Sequence, residues 1–141
     1  MNYLVFLDRR AGELEKILSG VKTMLVKEFD PAQSRAHPVQ PGDILYFLRD
    51  KDDCALRVKA TVVRVQFITN RLNEDPSQAL KEMQPRLQLT EEQYNHWCVK
   101  GQVLLVEFDA AHKIGMIHIT PDKIPDRSDW IPFEGVHLIT E

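Results

Sequence analysis

The segment Ser19 to Pro31, SGVKTMLVKEFDP, sets two lysines and a threonine into a short extended-type run directly after a glycine. On a strand beginning near Thr23, alternation puts Thr23, Leu25 and Lys27 on one face and Met24, Val26 and Glu28 on the other. A hydroxyl and an ammonium converging on one face can serve a ligand phosphate. The same pattern equally fits an edge strand whose Lys22 and Lys27 are solvated charges that discourage aggregation, with Thr23 a good strand former. Arg35 and His37 follow in a loop and add cationic groups able to close over a phosphate or base. Trp130, in SDWIPF, either pins the tail of the chain or lines a cleft. Tyr94 and Trp97 share a helical i,i+3 spacing and are expected to pack inward. The histidines show neither H-x-H nor H-E-x-x-H spacing, so no metal site is expected. No Gly-rich phosphate cradle or G-x-S-x-G elbow occurs, and no cofactor is implied.

The elements that must position these residues are legible in outline. YLVFLD at positions 3–8 has the length and apolarity of a strand, and RRAGELEKILSG repeats Ala11, Leu14, Ile17 and Leu18 at helical spacing. Gly20 sits where a left-handed residue ends that helix, with Lys16 in its last turn. DPAQSRAHPVQPGD, with three prolines and no apolar periodicity, is a long loop. DILYFLRD and CALRVKATVVRVQFI read as an antiparallel hairpin, the second strand alternating Leu56, Val58, Ala60 and Val62 with Arg57, Lys59 and Thr61. Asp75 and Pro76 open a short helix through Met83. In LTEEQYNHWCVKG, Thr90 and Gln93 form a capping box and Leu89 can staple onto Tyr94. QVLLVEFDAAHKIGMIHI reads as two strands around AHKIG, and the Pro-rich remainder as irregular with a last short strand at 136–139. Strands dominate and the helices are short, which predicts a mainly β, α+β fold: one curled antiparallel sheet over residues 3–119, closing into a small barrel flanked by helices at 10–19 and 90–98.

A chain of 141 residues with 43% hydrophobic and 28% charged residues suits a single domain, 1–141, with one core. No apolar run approaches the ~20 residues of a membrane span, and MNYLVFLDRR places its apolar residues before its charges, the reverse of a secretion signal; no membrane partner and a cytoplasmic location are the expectation. Cys54 and Cys98, far apart and outside any C-x-x-C, read as reduced structural thiols. The formal net charge of −3 argues against broad attraction to a phosphate backbone, so a nucleic-acid role must be local.

The ordered set LEKILSGVKTMLVK, QPGDILYF and VKATVVRV resembles the ASCH domain of the PUA-like superfamily: a helix ending in Gly, KT opening a strand, a basic residue four positions after the threonine, a Pro-rich loop, and PGD before a strand. The resemblance covers about residues 3–70, with QVLLVEF fitting the family's final strand. It implies a β-barrel with a cleft beside the KT strand and a role in binding RNA or a small nucleotide-like ligand. Lys22, Thr23 and Lys27 would form the floor of that cleft, Arg35 and His37 its rim, and Trp130 a further wall. The family pattern commonly reads Lys-Thr-x-Glu-x-Arg, and this chain has Leu25 in place of the acid and Lys27 in place of the arginine, losing the planar fork that grips a phosphate bidentately. Some small bacterial relatives hydrolyse acetylated cytidine with a threonine at the position of Leu25; here that amidohydrolase chemistry would fall to Thr23, with Lys22 as its base. Three functions follow in order: a binding module for RNA or a modified nucleoside, an amidohydrolase, and a structural or partner-binding domain with a vestigial cleft.

Overall fold

Leu14 and Ile17 give helix α1 (Glu13–Leu18) one buried stripe, and a Schellman turn ends it. Gly20, at φ 84°, donates its N–H to the Ile17 carbonyl, and Val21 donates to Lys16, both at 3.1 Å. This turn aims the chain back along α1 and delivers Lys22 beside it. The computed structural model describes residues 1–28, 39–50, 52–69, 75–120 and 130–133.

Among the described residues six strands form one sheet: β1 (Asn2–Phe6), β2 (Met24–Glu28), β3 (Ile44–Leu48), β4 (Ala55–Thr69), β5 (Gln102–His118) and β6 (Trp130–Phe133), in the order β2-β5-β4-β3-β1-β6. Among the described residues between β4 and β5 lie three helices, α2 (Pro76–Glu82), α3 (Gln84–Leu87) and α4 (Glu91–Cys98). The sheet curls as a half-barrel: Tyr3, Leu25, Phe47, Val62, Val106 and Trp130, one from each strand, meet in a single core that Leu14 and Ile17 close. On the opposite face of β2, β4 and β5, Met24, Ile68 and Leu105 pack against Leu80, Leu87 and Leu89 of the helical segment. Tyr94 and Trp97 pack there too, as their spacing predicted. Both helix starts read from sequence are present: the Asp75 carboxylate accepts from the Ser77 N–H at 3.0 Å, and Thr90 and Gln93 form the reciprocal capping box.

Four features differ from expectation. β1 pairs with β3 in parallel, so the sheet is mixed. β5 is one strand, not two, because the 15-residue β4 pairs with it throughout and a bulge absorbs Ala110, at φ 55°. A strand lies at Trp130–Phe133, within a segment read as irregular; Pro132 is tolerated because β6 is an edge strand. The strand expected at 136–139 lies outside the described residues. Finally, α3 was not anticipated; its carbonyl end proves central to Lys22.

Candidate functional site

Lys22 and Lys27, read together from sequence, occupy different environments. Lys22 is 1% exposed and lies outside the strand core, between α1 and α3. Its Nζ donates to the Leu87 carbonyl and stands 3.4 Å from the Glu13 carboxylate. Glu13 is fixed in turn by the Asp8 N–H, which donates to it at 2.7 Å. The last carbonyls of α3 have no acceptor role within the helix, and three successive ones are each met by a donor: Arg86 by the Thr23 N–H at 2.9 Å, Leu87 by Lys22, and Gln88 by Lys16 Nζ at 3.0 Å. Two ammonium groups at a helix C-terminus also complement its dipole. Lys22 is therefore neither a solvated strand charge nor on a common floor with Lys27. Burial pushes its ammonium below the ordinary value of 10.5, an effect the Glu13 carboxylate opposes.

Lys27 lies on the core face of β2 with Leu25, while Thr23 precedes the strand and extends its ladder by accepting the Phe108 N–H at 3.0 Å. Leu25, where the amidohydrolase pattern places its nucleophile, is buried at 4% exposure in the main core. Lys27 Nζ sits over the Trp130 ring, 5.9 Å from its centroid. Among the described residues β2 and β6 are the two edges of the sheet, and this contact bridges the seam between them. Trp130 is 9% exposed and packs edge-on against Tyr3 at 6.0 Å. Tyr3 is held by burial, and secondarily by the buried Asp43 carboxylate, at a pKa of about 12 in place of 10.0. The unfolded chain releases this proton above pH 10 and the folded one keeps it to about 12, so Tyr3 makes stability fall as pH rises through that window. An ultraviolet titration of the native protein is expected to show a tyrosine that ionises near 12, and its loss in Tyr3→Phe identifies the residue.

The structure thus brings together Lys27 and Trp130 and sets Lys22 apart from them; Arg35 and His37 lie outside the described residues. Among the described residues no group of three or more His, Cys, Asp or Glu side chains is placed to hold a metal, and no helix is long and apolar enough to cross a membrane. A surface hollow of about 560 Å³ between Asp8, Arg10 and Ala11 and the start of α4 shares no residue with the seam.

Among solved structures, a serine-to-alanine variant of the ASCH protein from Zymomonas mobilis superposes with a TM-score of 0.70 at 10% identity, covering 96% of this chain and 89% of that one. The ASCH protein from the same organism gives 0.68 at 11% identity over 94% and 87%. The chain has the ASCH-domain fold. No family model and no curated protein matches the sequence. Within this fold the KT strand is an edge strand among the described residues, and Leu25, at the position of the pattern's acid, lies in the hydrophobic core. The bulge at Val63 shifts the register of β4 so that Phe67 lies opposite Leu104.

Proposed function

We propose that this ASCH domain binds RNA or a modified nucleoside at the seam between β2 and β6, as a module without hydrolytic activity. One observation carries the reading: Lys27, a half-buried cation at the edge of the sheet, lies over the indole of Trp130, an aromatic of the opposite edge. A cation beside an aromatic wall offers a charge-assisted bond to phosphate next to apolar surface for a base. The acidic balance of the chain, −3, favours a small, locally held ligand over a long duplex.

Amide hydrolysis is less well supported. Lys22, the base that chemistry requires, has its ammonium engaged by Leu87 and Glu13, while the pattern's nucleophile position is the buried Leu25. Titration with short single-stranded RNAs, free nucleosides and nucleotides is expected to give saturable binding, and incubation with acetylated cytidine to release no acetate. Turnover that disappears in a folded Lys22 variant would overturn the binding-only reading.

A further inference from the structure

The wet face of the long strand β4 carries groups that the seam does not use. Val58 and Ala60 belong to the main core, and Lys59, between them, faces the other side of the sheet. Tyr46 of β3 is registered directly opposite Lys59, and so is His112 of β5, so the three side chains form one row across three strands. Tyr46 and Lys59 are half-buried and His112 is exposed. At one end of the row the Tyr46 ring packs on Phe133, with centroids 5.6 Å apart. At the other end β5 bulges, fitting one extra residue between Asp109 and His112 against Thr61 and Lys59 of β4. The bulge holds the Ala110 carbonyl 2.6 Å from His112 Nδ1. A carbonyl oxygen only accepts, so Nδ1 carries the proton of the neutral ring and Nε2 is left as an acceptor. The adjacent row on this face is Ile44, Thr61 and Asp109, which sets one carboxylate beside the ammonium and the imidazole. That balance suits a single phosphate and disfavours a run of them.

We infer that the row of Tyr46, Lys59 and His112 is a ribose-phosphate site, in which Lys59 donates to a phosphate oxygen and His112 Nε2 accepts from the neighbouring 2′-hydroxyl. Residues directly opposite on one face hold their Cβ atoms about 5 Å apart, so the two groups serve adjacent parts of one nucleotide, whose 2′-hydroxyl and 3′-phosphate stand on neighbouring ring carbons. An ammonium alone does not tell RNA from DNA. An acceptor beside it does, because only ribose has a 2′-hydroxyl to donate. Tyr46 closes the row with an apolar ring and a hydroxyl able to meet a second phosphate oxygen. The row lies on the face opposite the core and shares no residue with the seam, so the inference goes beyond the seam reading and does not rest on it.

The test titrates wild type, Lys59→Ala and His112→Ala with a short single-stranded RNA, the DNA of the same sequence, and the 2′-O-methyl RNA, which keeps the oxygen and loses its proton; denaturation midpoints verify that each variant is folded. Wild type is expected to bind the RNA about two- to tenfold more tightly than either analogue. His112→Ala is expected to bind all three alike, at the affinity of wild type for DNA. Lys59→Ala is expected to weaken all three by about ten- to a hundredfold. Nucleoside 3′-monophosphates and their 2′-deoxy forms repeat the comparison without a strand, and a preference seen with them as well as with the RNA identifies a free nucleotide as sufficient. Equal wild-type affinity for RNA and DNA, or a preference that survives in folded His112→Ala, would overturn the inference and leave the seam reading intact. Unchanged binding in Lys59→Ala alongside weakening in Lys27→Ala would do the same. Absence of wild-type binding to every ligand would overturn both.

Discussion

Replacing Lys22 by alanine is expected to remove about 3 to 5 kcal/mol of stability, because it breaks a buried ion pair from one side. The Leu87 carbonyl would lose its donor, and the Glu13 carboxylate, in a residue only 9% exposed, would lose its counter-charge. Against the roughly 5 to 15 kcal/mol that holds a domain together, the variant stands near unfolding. Urea denaturation measures the change through the midpoint at constant slope. A shift within the ~0.5 kcal/mol usual for surface substitutions would show Lys22 to be solvated instead. Pairing Lys22→Met with Glu13→Gln is expected to recover much of the loss, since both charges go and Gln still offers an oxygen to the Asp8 N–H. The pH dependence carries a definite sign. Lys22 has its folded pKa below 10.5, so in the interval between that value and 10.5 only the unfolded chain holds the proton, and stability rises with pH there. Below the interval both states are protonated and the contribution of Lys22 is flat. The rise is absent from Lys22→Met, and above pH 10 the opposing loss from Tyr3 sets in.

Lys22 also marks the limit of what alternation can reveal. The helix before it, its glycine stop and the strand after it were all legible, because each rests on neighbours within a few residues. The partners that bury Lys22 are Glu13, on a preceding helix, and Leu87, 65 positions along the chain on a helix with no strong local signal. A lysine at a strand entrance therefore reads as solvated until the tertiary fold is known. Capping residues Asp75 and Thr90 were readable for the same local reason. The parallel pairing of β1 with β3 and the short β6 were not, since both are fixed by long-range partners. The register of Phe67 was hidden by the bulge at Val63, which shifts the alternation that Leu56 to Val62 establishes. Lys27 and Trp130 were each singled out as site residues, yet their meeting depends on the curl that brings opposite sheet edges face to face.

The seam reading assigns Lys27 the electrostatic part of binding. A charge-assisted hydrogen bond from a half-buried ammonium to phosphate contributes about 1.5 to 3 kcal/mol, and at ~1.4 kcal/mol per decade its removal weakens binding about ten- to a hundredfold. The variant is expected to fold, at a cost of about 1 to 2 kcal/mol for the contact between this half-buried ammonium and the buried Trp130 ring. Lys22→Ala has the opposite signature, with stability lost and the seam's own groups untouched. A single phosphate contact also gives a shallow salt dependence, the release of roughly one or two ions, whereas a backbone track would give a steep one.

The measurement that bears most directly on the seam is the affinity of wild type and Lys27→Ala for a short single-stranded RNA and for 5′-nucleoside monophosphates, at two salt concentrations, with folding of the variant verified by its denaturation midpoint. The predicted result is a folded variant that binds about ten- to a hundredfold more weakly and has lost most of the wild-type salt dependence. Equal affinities for wild type and folded Lys27→Ala, with wild-type binding clearly saturable, would contradict the seam as the site.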